Sequence, residues 1–220
     1  MNLSGEKSNV YYFDSDAGAS DKMRFQAAGN DADDKVGSAN AFIFESDIKY
    51  DHAEGASGSS KTACEIWLGS SATGESYAYR ACLYYYANTN EIKLEDVGIG
   101  TSNLVSLGVG KNEWFKLRIE YYKISANEML TLIFVNGELK FVSNNCRYSN
   151  SYGDNAWPVY SDAYVNNKGK TIKGIDSIFF NTNSSTDVTI YFDNSLVRRT
   201  TLTPPTIPVS EYHSYYNPAN

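Results

Sequence analysis

Along the chain, apolar and polar side chains alternate far more often than they recur at helical spacing. Glu113-Trp-Phe-Lys-Leu-Arg-Ile-Glu-Tyr-Tyr122 sets Phe115, Leu117, Ile119 and Tyr121 on one side and Lys116, Arg118 and Glu120 on the other, the pattern of a strand with one face toward a core. Residues 130–135 and 138–142 are two β-rich runs around Asn136-Gly137, a dipeptide that accepts positive φ at both turn positions, and they predict a hairpin. A helix over 125–134 is the competing assignment. β-Branched Thr131, Ile133 and Val135 and the Asn-Gly stop oppose it. The three strands in succession predict a meander.

The same reading predicts strands over 41–50, 63–68, 77–86, 91–94, 172–181 and 188–198, nearly all separated by polar turn segments. Many short strands and no amphipathic helix of a dozen residues predict an all-β fold: two packed antiparallel sheets, a β-sandwich of jelly-roll type. No internal repeat is visible. Residues 144–170, with Trp157-Pro158, alternate little and are long for a connection, as expected of a functional loop or an edge cover. Thr203-Pro-Pro-Thr-Ile-Pro208 and the residues after it read as an extended segment leaving the domain. The expected organisation is therefore a jelly-roll domain over 1–202 and a Pro-containing tail or linker over 203–220.

Composition narrows the function. With 42% hydrophobic and 20% charged residues the 220-residue chain is not disordered, and no apolar run approaches the roughly 18 residues of a membrane span. A net charge of −7 without a Lys/Arg cluster excludes nucleic acid as a generic partner. The 18 tyrosines, in a background rich in Asn, Ser and Gly, suit twisted strands joined by polar turns. Cys64, Cys82 and Cys146 and the two histidines, His52 and His213, form no zinc pattern. Cys64 and Cys82 form a disulfide if their strands are neighbours; the other reading is three buried thiols. The first residues lack a charged-then-apolar layout, so no secretion signal is expected in the chain itself.

Phe42-Ile-Phe-Glu-Ser-Asp-Ile48, Trp114-Phe-Lys-Leu-Arg-Ile-Glu120, Ile133-Phe-Val-Asn-Gly-Glu-Leu139 and Ile190-Tyr-Phe-Asp-Asn-Ser-Leu-Val197 stand in this order. Over residues 40–200 the chain thereby resembles the concanavalin A-like lectin/glucanase jelly rolls, especially the laminin-G-like modules of secreted bacterial proteins. The resemblance implies that the first of these strands lies beside the closing Asp-Asn strand. It also implies that the Trp strand and the Asn-Gly hairpin belong to the sheets. That family holds lectins, carbohydrate-binding modules, glycosidases and polysaccharide lyases, so fold alone does not select a function. Glu45-Ser-Asp47-Ile-Lys-Tyr50 resembles the glucanase motif Glu-x-Asp-x-x-Glu, but Tyr50 stands where the acid/base belongs, so that catalytic pair is absent. The Arg-rich and Gln-x-His strands of the fold's lyases are missing as well.

Binding a sugar takes aromatic platforms for its apolar C–H face and fixed polar groups for its hydroxyls. Trp67 and Glu65 share the polar side of one strand, Arg80, Tyr84 and Tyr86 one side of another, and Lys116, Arg118 and Glu120 one side of a third. If these strands adjoin in one curved sheet, Glu65, Trp67, Arg80, Tyr84, Arg118 and Glu120 converge on a concave surface that Trp157 and Tyr160 could roof. The competing reading puts Trp67 and the tyrosines inside the sandwich and makes the Arg/Glu alternation cross-strand pairing. Trp114, followed by Phe115, is expected in the core. Calcium, which the resemblance implies as a structural ion, would look to Asp14-Ser-Asp16, Asp31-Ala-Asp33-Asp34 or Asp193-Asn194. None matches the twelve-residue calcium loop, and Asp193 is the candidate metal ligand. The reading that results is a non-catalytic, lectin-like carbohydrate-binding module of a larger extracellular or cell-surface bacterial protein, with a polysaccharide or glycan as partner. The alternatives are a glycoside hydrolase or polysaccharide lyase of the same fold, and a structural adhesion spacer without glycan affinity.

Overall fold

The computed structural model describes residues 10–15, 22–27, 40–52, 61–70, 76–96, 101–102, 104–124, 129–144, 164–165, 171–172, 177–182 and 188–215. Its strands are β1 (Tyr11–Ser15), β2 (Lys22–Gln26), β3 (Ala41–His52), β4 (Lys61–Ser70), β5 (Ser76–Tyr86), β6 (Glu91–Asp96), β7 (Thr101–Ser102) and β8 (Val105–Ser106). They continue with β9 (Trp114–Lys123), β10 (Met129–Val135), β11 (Glu138–Ser143), β12 (Tyr164–Val165), β13 (Thr171–Ile172), β14 (Ser177–Asn181), β15 (Val188–Thr200) and β16 (Ser214–Tyr215). One sheet has eight strands in the order β1-β15-β3-β9-β10-β11-β16-β7, the other six in the order β2-β14-β4-β5-β6-β8, and β12 pairs with β13. Every pairing is antiparallel except that of β11 with β16. The all-β, two-sheet sandwich of jelly-roll type is thus the observed architecture. Among the described residues no helix is long and apolar enough to cross a membrane.

Alternation decides which side chains fill the space between the sheets. Phe42, Phe44, Ile48 and Tyr50 of β3 and Phe115, Leu117, Ile119 and Tyr121 of β9 face Cys64, Ile66 and Leu68 of β4 and Ala81 and Leu83 of β5 in one core. Phe44 and Phe192 from the larger sheet meet Phe25 and Phe180 from the smaller, with ring centroids 4.8–5.4 Å apart. Tilted and edge contacts of this kind add to the burial of each ring and fix how the sheets stack.

The meander β9-β10-β11 forms, and its Asn136 and Gly137 adopt φ of 52° and 84° as a primed hairpin turn requires. The turn also grips the neighbouring strand: Asn136 N donates to Lys116 O at 2.9 Å, and Lys116 N donates to Asn136 Oδ1 at 2.9 Å. β15 lies beside β3, with a bulge between Asp193 and Leu196. β1 and β2 escaped the pattern because edge strands alternate weakly; Tyr11 and Tyr12 of β1 are exposed and Phe13 is the ring that packs on the core.

Two expectations change. Cys64 and Cys82 do lie on neighbouring strands, but Cys64 stands opposite Leu83 and Cys82 opposite Glu65, so the two thiols project to opposite faces. Both are buried thiols in no disulfide, as in the other reading, while Cys146 lies outside the described residues. The segment expected to leave the domain instead turns back. Asn40 Nδ2 and Oδ1 bond Leu202 O and N at 2.7 and 2.9 Å. Ile207 and Tyr212 then pack on a second apolar cluster of Ala41, Tyr122, Leu130, Leu132 and Val142. His213 stacks on Phe141, and Ser214 extends the sheet beside Ser143. The physical reason is that β9, β10 and β11 also carry apolar residues on their outward face, and the segment after β15 covers them.

Candidate functional site

A sandwich has two outward faces, and the residues expected to converge are divided between them. Glu65, Trp67, Arg80 and Tyr84 belong to β4 and β5 in the six-stranded sheet, whereas Arg118 and Glu120 belong to β9 in the eight-stranded one. The single concave surface combining all six is therefore corrected: Arg118 and Glu120 lie across the core from the others. Trp157 and Tyr160 fall outside the described residues.

On the six-stranded sheet, Ile66, Leu68, Ala81, Leu83, Leu94, Ile178 and Phe180 face the core, so the residues alternating with them face outward. Register then aligns Asn181, Glu65, Cys82 and Glu95 in one row across β14, β4, β5 and β6. The next row aligns Phe179, Trp67 and Arg80, and Tyr84 pairs with Lys93 on the other side. This outward face is polar yet withdrawn from solvent: Glu65 is 3% exposed, Cys82 and Asn181 4% each. Tyr84 is half-buried. Burial raises its hydroxyl well above the usual tyrosine value, and the charges and hydrogen bonds of Cys82 and Glu95 raise it further, so it stays protonated. A protonated hydroxyl between two carboxyl-bearing strands can donate a hydrogen bond to an incoming oxygen. Glu95, Cys82 and Asn181 are not among the sugar-contact residues that the sequence suggests. The predicted strand 91–94 stopped one residue before Glu95, although the alternation with Ile92 and Leu94 already pointed it outward.

The outward face of the eight-stranded sheet carries a closed polar network. Arg118 bonds Glu120 Oε1 through Nε and Nη2, both at 2.6 Å, and Glu45 Oε2 through Nη1 at 3.1 Å. Tyr122 donates to Glu120 Oε2 at 2.6 Å, and Lys116 Nζ lies 3.5 Å from Glu45 and 3.8 Å from Asp47. The hydrogen bond from Arg118, helped by the nearby cations, holds the Glu45 carboxyl below its usual range. Ion pairs across β3 and β9 and along β9 itself occupy Arg118, Glu120 and Glu45. Asp47 accepts from Asn194 Nδ2 at 2.7 Å.

Asp193, the candidate metal ligand, sits at the bulge of β15. Its Oδ1 accepts from Asn194 N at 2.8 Å, its carbonyl accepts from Ser46 Oγ at 2.9 Å, and Asn194 takes φ of 50°. This is a turn-forming role. Asp14 accepts from Thr189 Oγ1 at 2.7 Å, while Asp16, Asp31, Asp33 and Asp34 lie outside the described residues. Among the described residues, no group of three or more His, Cys, Asp or Glu side chains is placed to hold a metal ion. Trp114, expected in the core, is 47% exposed on the outward face, because Phe115 takes the inward position of the alternation.

No protein-family model matches the chain, and no curated protein does. Among solved structures, alginate lyase Aly36B is similar in fold, with a TM-score of 0.52 at 11% identity, over 89% of this chain and 82% of that one. A variant of that lyase in complex with alginate trisaccharide gives 0.51 at 10% identity, over 86% and 81%. The carbohydrate-binding module CBM66 from Bacillus subtilis gives 0.36 at 10%, over 87% and 93%. At these identities the likeness to alginate lyase Aly36B is one of fold, a two-sheet β-sandwich.

Proposed function

We propose that the protein acts on a polysaccharide at the outward face of the six-stranded sheet, as a chain-cleaving enzyme, with Glu65, Tyr84 and Glu95 meeting the sugar. The observation that carries this reading is the burial of Glu65 on a face turned away from the core. We read a carboxylate withdrawn from solvent on an outward face as part of a recess, the kind of place where convergent polar groups bind ligands. Glu65 and Glu95 are separated by one intervening strand, so their backbones are about 9–10 Å apart. Such a separation leaves room for a sugar ring and a glycosidic bond between two carboxyl groups. Tyr84, held protonated beside them, would donate a hydrogen bond to the oxygen between two sugars. Trp67 and Arg80, opposite one another in the ladder, would extend the contact along the chain.

The fold likeness to alginate lyase supports a polysaccharide as the substrate class. A polymeric substrate in turn suits work outside the cell or at its surface. The test is a product assay over a panel of polysaccharides. New reducing ends accompanied by the ultraviolet absorbance of an unsaturated sugar mark elimination, and reducing ends alone mark hydrolysis. Glu65→Gln and Tyr84→Phe are each expected to slow the reaction by about 100-fold or more. Binding without products would instead support the passive, lectin-like module, and neither binding nor products would contradict both.

A further inference from the structure

The outward face of the eight-stranded sheet carries a second arrangement that its salt-bridge network does not use. Register places Tyr12 opposite Tyr191, Tyr191 opposite Lys49, and Lys49 opposite Trp114, so these side chains form one row across β1, β15, β3 and β9. Tyr12 is 66% exposed and Trp114 47%. The Tyr12 and Tyr191 rings lie 6.3 Å apart at 39°, and the Trp114 and Tyr191 rings 6.5 Å apart at 62°. Lys49 Nζ sits 4.1 Å from the Tyr191 centroid and 5.6 Å from that of Trp114. Three strand spacings make the row about 14 Å long.

Exposed aromatic rings in solvent are costly unless something covers them, and the chemistry around these rings says what. The neighbouring carboxylates are engaged elsewhere: Asp47 with Lys116 and Asn194, Asp51 with Lys111, and Asp14 with Thr189. Among the described residues Lys49 therefore meets two π faces and no carboxylate, which leaves its ammonium free to take an anion from outside. A protein partner would suit a broader apolar patch. A row of separate rings around one cation, flanked by hydrogen-bonding side chains, suits a polymer that alternates apolar faces with hydroxyls and carries its own carboxylates.

We propose that the row Tyr12, Tyr191, Lys49 and Trp114 is a binding surface for an acidic, uronate-bearing polysaccharide, distinct from the cleavage face and across the sandwich from it. Sugar rings would rest on the aromatic side chains while a uronate carboxylate reaches Lys49. A chain anchored there stays near the molecule between encounters with the other face, which raises its effective concentration without adding contacts at the cleavage site.

The experiment measures retardation of the full-length protein in gels containing a soluble polyuronate or a neutral β-glucan, with thermal melts as the control for folding. Trp114→Ala combined with Tyr12→Ala is expected to weaken polyuronate binding about tenfold or more at unchanged melting temperature. Lys49→Gln is expected to remove the preference for polyuronate over the neutral polymer. Glu65→Gln, on the other face, is expected to leave this retardation largely intact, so failure of the cleavage reading and failure of this one are separable. Retardation unchanged in the row variants but lost in Glu65→Gln would overturn the proposal. So would a wild type that no polyuronate retards, or concentration-dependent self-association that Trp114→Ala abolishes.

Discussion

Arg118 illustrates how a charged side chain on an outward face can be used up by its own sheet. Its guanidinium spans Glu45 on β3 and Glu120 two positions along β9, and Glu120 in turn takes the Tyr122 hydroxyl. Burial disfavours the Arg118 charge, but the hydrogen bonds to Glu120 and Glu45 outweigh that and hold it above the usual arginine value. Arg118→Ala would leave the nearly buried Glu120 with one hydroxyl in place of two charge-assisted bonds. The expected loss is about 1–2 kcal/mol in denaturant titration, with polysaccharide processing unaffected. The acid limb follows the same logic. Glu45 has its pKa lowered on folding, first by the Arg118 hydrogen bond, so its ionised form stabilises the fold above the ordinary carboxylate value. That contribution fades as pH falls from the ordinary carboxylate value through the lowered one. Arg118→Ala should therefore show a shallower decline in stability over that interval than the wild type.

At the scale of elements, the returning segment after β15 depends on a neutral imidazole. His213 accepts from Val142 N through Nδ1 at 3.2 Å, and its own N donates to Val142 O at 2.9 Å. Burial lowers its pKa, and a protonated Nδ1 could not accept that bond. Because the folded-state value is depressed, the docking energy is complete above the ordinary histidine value of about 6.5 and is lost as pH falls through the folded one. Protection factors at the amides of His213 and Ser214, referred to the slower intrinsic exchange at lower pH, should fall as pH is lowered from about 7 to 5. Exchange in the β9 to β11 meander should stay slow. A returning segment whose protection does not respond to pH would contradict this role for His213. The turn after β5 makes a sharper demand: a Cβ on Gly110 would come within 2.7 Å of the Asn90 carbonyl oxygen, so Gly110→Ala should cost about 1–3 kcal/mol in thermal or chemical melts.

At the scale of the whole molecule, the sandwich puts two chemically different surfaces back to back. Strand identity was legible wherever alternation was strong. β3, β5, β9, β10, β11 and β15 follow the apolar-polar pattern, and Asn136-Gly137 dictated its turn. What alternation does not encode is which strands share a sheet. Arg118 and Glu65 have the same local pattern, a polar residue between buried ones, yet β9 and β4 belong to opposite layers. That long-range pairing split the expected site in two. Nor does local pattern separate a buried outward position from one in open solvent. Glu65 and Trp114 both occupy outward positions, but the first is buried and the second exposed. The returning segment follows the same rule: its prolines describe a local conformation and say nothing of the apolar cluster it meets.

The central claim is that a polysaccharide occupies the outward face of the six-stranded sheet, and the most direct test is a crystal structure of Glu65→Gln with an oligosaccharide drawn from a polymer that the wild type degrades. The account predicts sugar density running over Asn181, position 65 and Glu95, with an inter-sugar oxygen within hydrogen-bonding distance of the Tyr84 hydroxyl. Density confined to the opposite sheet, with that face empty at saturating ligand, would contradict it.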